Sequence, residues 1–181
     1  MQLEKGKEIW IEGAYRIFAF EGHQAIKVEI LAKRIGKSKS SFYHFFADLH
    51  LFLEELCHYH VHKASEIAKN ATAIPQDSKA LIDFLLAVKS DVFFQRELRV
   101  HRQQPLFEKT ITLSHTPVEN ALLPIFAKAI GLAQDLFAAK MILHLTIENF
   151  YLQVQPNSFN EQWLMQYLNN LQNTVKMLKK Q

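Results

Sequence analysis

Residues 34–46 read RIGKSKSSFYHFF. A glycine and a run of lysines and serines give way abruptly to Phe42, Tyr43, Phe45 and Phe46. Counted from Lys39 at 100° per residue, Phe42, Phe45 and Phe46 share one side of a helix, and Lys39, Ser40, Tyr43 and His44 share the other. A helix of about two turns does not hold in water by itself. It persists only when one face is anchored, and three phenylalanines supply an anchor. The opposite face then carries an ammonium, a hydroxyl, a phenol and an imidazole, all able to hydrogen-bond.

The residues before this segment have a matching pattern. Val28, Leu31, Ala32 and Ile35 predict a short second helix over about 28–35, stopped by Gly36. Ser38 is placed to cap the third helix through its hydroxyl, a contact worth ~1 kcal/mol. Upstream, Trp10, Ala14, Ile17 and Phe18 mark a first helix over about Leu3–Glu21, ended by Gly22. Two short helices joined by a sharp glycine turn form a helix-turn-helix, whose second helix lies in the DNA major groove.

Charge is distributed to suit that reading. The 181-residue chain has a net charge of +3, and residues 1–46 carry eight Lys/Arg against five Asp/Glu, while the remainder is balanced. Between Lys27 and Lys39, five basic residues face Glu29 alone. A basic cluster beside a neutral body is the footprint of a phosphate-binding module, and equally of a solvated helix face. The single cysteine, Cys57, fits a reducing compartment, and the charged start "MQLEKGKEIW" lacks the apolar stretch of a signal peptide. A cytoplasmic protein with no membrane span is expected.

Residues 14–46 resemble the DNA-binding domain of the TetR family of transcriptional regulators. "AYRIFAFEG" is similar to the end of that family's first helix, and "LAKRIGKSKSSFYHFF" to its turn signature followed by Tyr-His-Tyr-Phe. The resemblance implies that Lys39, Ser40 and Tyr43 face base edges or nearby phosphates and that His44 contacts the backbone. The implied DNA-contacting set is Lys27, Val28, Glu29, Lys37, Ser38, Lys39, Ser40, Tyr43 and His44. It also implies a head over 1–47 and an effector-binding and dimerisation domain over 48–181. Some positions depart from the family pattern. Lys27 stands where a capping Thr or Ser is usual, and lysine cannot accept a hydrogen bond from a backbone N–H. Lys37 replaces an apolar turn residue, and Leu49 and His50 occupy the place of a phosphate-binding lysine. Glu29 could accept from cytosine N4 or neutralise Lys33. These departures keep open a helical ligand-binding or interaction protein with a degenerate head.

The rest of the chain reads as helix throughout, giving an all-α fold. Asp48 caps a long fourth helix to about Asn70, and "NATAIPQDS" forms a connector. One helix is expected from Ser78 through "LIDFLLAVKSDVFF". Thr116–Pro117 reads as a cap and first turn, and Gly131 as a helix end. Two long helices follow, over about 133–154 and 160–179. Leu143, Ile147 and Phe150, with Leu164, Leu168, Leu171 and Val175, recur at spacings of 4 and 3. Such stripes face either their own core or a partner helix. The resemblance implies the partner, and so a homodimer through these seven residues.

The resemblance also implies a small hydrophobic or aromatic effector held among Phe84, Val88, Phe93, His101, Phe107, Phe126 and His144, which as residues alone read equally as core. "CHYHVH" places His58 and His62 one helical turn apart, a spacing that can chelate metal, but as the motif lacks a general base, no metal, cofactor or catalytic residue is expected. The chain reads as a regulator and not an enzyme.

Overall fold

A computed structural model of the chain describes Glu4 and residues 6–179. The expected helix start at Leu3 lies outside them. Among the described residues every regular element is helical: α1 (Lys7–Glu21), a 3-10 turn (His23–Ala25), α2 (Val28–Ile35), α3 (Lys39–Phe45), α4 (Leu49–Ala71), α5 (Ser78–Ala87), α6 (Lys89–Val100), α7 (Pro105–Ala129), α8 (Leu136–Gln153) and α9 (Glu161–Leu178). Five of the described helix starts are capped by side chains accepting a backbone N–H. Ser38 caps α3, Asp77 α5, Asp135 α8 and Asn160 α9. Asp48 does the same for α4, accepting from Leu51 N–H at 2.8 Å.

The chain forms two compact units, Met1–Ala64 with Ser90–Ser114, and Ser65–Lys89 with His115–Gln181. In the first, the Phe94 ring stacks on Tyr15, Phe18 and His60, with centroids 4.4, 3.9 and 4.3 Å away. The Tyr15 hydroxyl donates to Asp91 Oδ1 at 2.6 Å and lies 2.6 Å from His60 Nδ1. A hydroxyl has one proton, already given to Asp91, so His60 Nδ1 carries the hydrogen and donates to it. Burial, reinforced by the Lys63 charge, pushes His60 down to about 3, while burial and Asp91 raise the Tyr15 phenol well above its ordinary value. Both groups are therefore neutral at physiological pH, and this polar lock joins α1, α4 and α6 inside an aromatic core.

The second unit has its own core. Phe126, Ala127, Ile130, Leu132, Ala139 and Val175 form a buried cluster, and Leu143 and Leu171 pack against it. Two expectations for helix boundaries fail here. The single helix expected from Ser78 breaks at Val88, where φ −96° and ψ 26° leave the helical range. The physical reason is that α5 buries Leu81 and Ile82 in the second unit whereas α6 buries Val92, Phe93, Phe94 and Leu98 in the first. Thr116–Pro117 is not a helix start either, because α7 runs on through Pro117 and Pro124. Each proline removes the N–H that the carbonyl four residues earlier would receive. Those carbonyls belong to Leu113 and Asn120, both exposed residues, where solvent can replace the missing donor.

Candidate nucleic-acid interface

The deciding helix is anchored as its periodicity demands. Phe42 and Phe46 are buried, Phe45 is half-buried, and Trp10 of α1 meets Phe42 edge-on at 5.3 Å. Phe52 of α4 closes the other side, 5.2 Å from Phe42 and 4.7 Å from Phe46. The turn before it depends on Gly36, whose φ of 66° is left-handed and costs an L side chain energy that glycine avoids. Its geometry ends α2 with Lys37 N–H donating to Ala32 C=O at 2.9 Å. Ser38 Oγ accepts from Ser41 N–H at 3.2 Å and starts α3.

The outward face carries Lys37, Ser38, Lys39, Ser40, Tyr43 and His44, all exposed, with Tyr43 at 58 %. Lys27, just ahead of α2, and Glu29 in its first turn are exposed. Val28 is buried at 7 %, so at this position only its first-turn backbone N–H can face a duplex. Lys27 gives α2 no side-chain cap, as its chemistry requires. Leu49 is half-buried, and His50 faces Glu54 at 3.5 Å.

A pairing that the sequence did not reveal cuts across the site. Lys39 Nζ lies 3.1 Å from Glu29 Oε1, so Glu29 meets the leading lysine of α3 rather than Lys33. Its own backbone N–H, then Lys39, holds the Glu29 carboxyl below the usual carboxylate range. Arg34 is engaged by Glu21 in a two-pronged pair, one prong at 2.7 Å. No periodicity links residues ten apart on different helices, so only the fold brings Glu29 and Lys39 together.

The other candidate residues are divided between the two units. Phe93, His101 and Phe107 lie in the first unit, and Phe84, Val88, Phe126 and His144 in the second. Phe93 packs on Phe20, and Phe107 on Phe18 and His23. Phe126 belongs to the buried cluster of the second unit, and His144 Nε2 sits 2.8 Å from Glu119.

Six of the seven stripe residues pack within their own subunit. Leu164, Leu168 and Val175 are buried, Leu143 and Leu171 join the core cluster, and Phe150 rests against Trp163 and Tyr167. Ile147 is half-buried. The reason is that α8 and α9 use these stripes to complete the second unit's core. Leu136 is exposed at the start of α8, and Phe137, Met141, Leu145 and Leu152 lie outside along it. Their spacings of 4, 4 and 7 were readable as a second stripe.

No protein-family model matches the sequence, and no curated protein sequence matches it. Solved structures do. A transcriptional regulator of the TetR/AcrR family from Aquifex aeolicus superposes over 96 % of this chain and 99 % of its own, with a TM-score of 0.59 and 17 % identity. The TetR-family transcriptional regulator PfmR from Thermus thermophilus covers 91 % of this chain and 97 % of its own at 0.57 and 20 % identity. This chain has the TetR-family fold. GusR from Salmonella enterica is similar as well, at 0.51 and 18 % identity over 96 % of this chain and 98 % of its own. In the TetR-like fold of this chain, α2 and α3 occupy the helix-turn-helix and α8 and α9 close the C-terminal unit. None of its described helices is long and apolar enough to cross a membrane.

Proposed function

We propose that the chain is a DNA-binding transcriptional regulator that acts as a homodimer on a palindromic operator, most simply a repressor released by a small molecule. The observation carrying this reading is α3 itself, with its phenylalanines locked inward and Lys39, Ser40, Tyr43 and His44 presented outward. Lysine donates to guanine O6 and N7, serine donates or accepts, and the Tyr43 ring suits a thymine methyl. Lys27, Lys37 and His44 would contact phosphates, and the exposed Ser38 flanks them. Such contacts fix register on the duplex without reading sequence.

One helix-turn-helix reads few base pairs, so two copies related by a two-fold axis are needed. We place the second copy on the outer face of α8. That helix is apolar on both sides, the pattern of a helix buried all round. Phe137 is 79 % exposed, Leu145 72 % and Leu152 71 % in the single chain. The effector reading rests on Phe84, Val88, Phe126 and His144 in the second unit, where a small hydrophobic or aromatic molecule would bind. A cytoplasmic location and the absence of catalysis belong to the same proposal.

The Glu29–Lys39 pair favours a second reading, a ligand-binding protein whose head no longer takes DNA. A filter-binding titration against the DNA upstream of the chain's own gene separates the two. Regulated binding gives sequence-specific retention that weakens steeply with salt. Retention indifferent to sequence, or none at low salt, establishes the degenerate head.

A further inference from the structure

We propose that His23, Glu97 and His101 form a binding site for one divalent transition-metal ion. The site lies within the first unit, where the 3-10 turn after α1 meets the C-terminal end of α6. One ligand atom from each residue lies within 4.8 Å of the other two. His23 Nδ1 is 2.8 Å and His101 Nε2 is 3.4 Å from the same oxygen, Glu97 Oε1. Bonds of about 2.0–2.1 Å in a tetrahedral shell place ligand atoms ~3.3 Å apart, so shifts of about an ångström close the shell around an ion.

Three features mark this as a built site. Glu97 is only 9 % exposed, yet its carboxylate is held in place by His23 N–H at 2.8 Å. Gly22 makes room for it, because a Cβ there would stand 3.1 Å from Glu97 Oε1. On the side away from Glu97, Gln104 Nε2 lies 3.1 Å from His23 Nε2 and steadies the ring. A ligating imidazole is usually held in this way through its other nitrogen. A carboxamide can turn over, so Gln104 can serve the ring whether Nε2 carries a hydrogen or a lone pair.

A second His–Glu–His group in the other unit shows what such a cluster looks like when protein charge already satisfies it. There His115 meets Glu119 Oε2 at 3.0 Å while His144 meets Oε1 at 2.8 Å, and Lys140 adds an ammonium 3.5 Å from Oε1. The imidazoles take different oxygens and a cation is built in. At Glu97 the two imidazoles converge on one oxygen. Two imidazoles and a carboxylate suit Zn²⁺, Co²⁺ or Ni²⁺, and the nitrogen ligands disfavour Mg²⁺ and Ca²⁺. Glu97 and His101 are neighbours on one turn, but His23 is 74 residues from Glu97, so an ion there would clamp the corner leading into α2 against the end of α6. The site stands independently of whether the chain binds DNA.

The test is a titration of chelator-stripped, full-length protein with Co²⁺, following visible absorption, and then displacement by Zn²⁺. The expected result is one Co²⁺ per chain with tetrahedral-type bands, and a Zn²⁺-dependent rise in Tm. His101→Ala and His23→Ala should each weaken binding at least tenfold, and Gln104→Ala about tenfold. Glu97→Gln keeps an oxygen for His23 N–H while removing the charge, so it reports on the ion even if another variant folds poorly. The double variant His58→Ala/His62→Ala should leave binding unchanged. No stoichiometric binding, a signal that survives Glu97→Gln and His101→Ala, or one that vanishes with His58 and His62 would each overturn the proposal.

Discussion

Helices α3 and α8 each turn an apolar face into their own unit, yet they offer opposite surfaces to the outside. In α3 the rings go in and a lysine, a serine, a tyrosine and a histidine come out. In α8 one apolar stripe goes in and a second stays out, led by Phe137 and Leu145. The first surface is at home in water or against phosphate. The second carries a hydrophobic penalty until something apolar covers it. The difference teaches that burial, and not hydrophobic spacing, separates a core stripe from a contact stripe.

The comparison can be broken most severely from the inside. Phe42→Ala removes the ring between Trp10 and Phe52 and should cost about 3–5 kcal/mol, measured by denaturant unfolding. Leu145→Asp, on the exposed stripe, should convert a dimer to a monomer in sedimentation while the helical circular dichroism spectrum is kept. Leu164→Asp, on the inner stripe, should instead unfold the subunit. If Leu145→Asp leaves the dimer intact, the outer face of α8 is not the seam.

Acid should loosen the two regions in sequence. His60 is held at about 3 in the folded chain but titrates near 6.5 when unfolded, so the unfolded state binds the extra proton as pH falls between those values. Stability then drops by about 2 kcal/mol between pH 6.5 and 5 from this residue alone. Glu119 in the second unit is lowered: burial, which raises it, is outweighed by His144, His115 and Lys140. Its contribution is present above about 4.5 and fades only below that. His60→Phe should flatten the pH dependence between 6.5 and 5.

Smaller effects sharpen the reading of α3. Tyr43→Ala should weaken specific DNA binding by about 1–3 kcal/mol and change folding stability by about 0.5 kcal/mol or less. A fall in Tm like that of Phe42→Ala would make Tyr43 core. Glu29→Gln frees Lys39 and should steepen the salt dependence by roughly one phosphate contact, a slope change of about 0.9.

Much of the head was legible because its signals are local. Gly36, Ser38 and the Phe42–Phe46 pattern act within one or two turns, and α2 has the span that its apolar period predicts. Asp48, by the same logic, caps α4 where expected. Beyond the head, the boundaries that failed depend on packing elsewhere. Nothing near Val88 announces that α5 and α6 serve different units, and Pro117 reads as a helix start unless the exposure of Leu113 is known. The α8–α9 stripes have a helical period, but spacing alone cannot tell an inner partner from an outer one. The Glu29–Lys39 and His23–Glu97 pairs join residues on separate elements and leave no trace in sequence period.

The two prolines of α7 have one more consequence. Seven residues is nearly two full turns, so Pro117 and Pro124 interrupt the hydrogen-bond ladder along the same edge of the rod. A rod scored twice on one edge flexes most easily in a single plane, convex toward the scored side. The compliance of α7 is therefore directional: flexure that opens the notched edge breaks no further bond, whereas flexure the other way must compress an intact ladder.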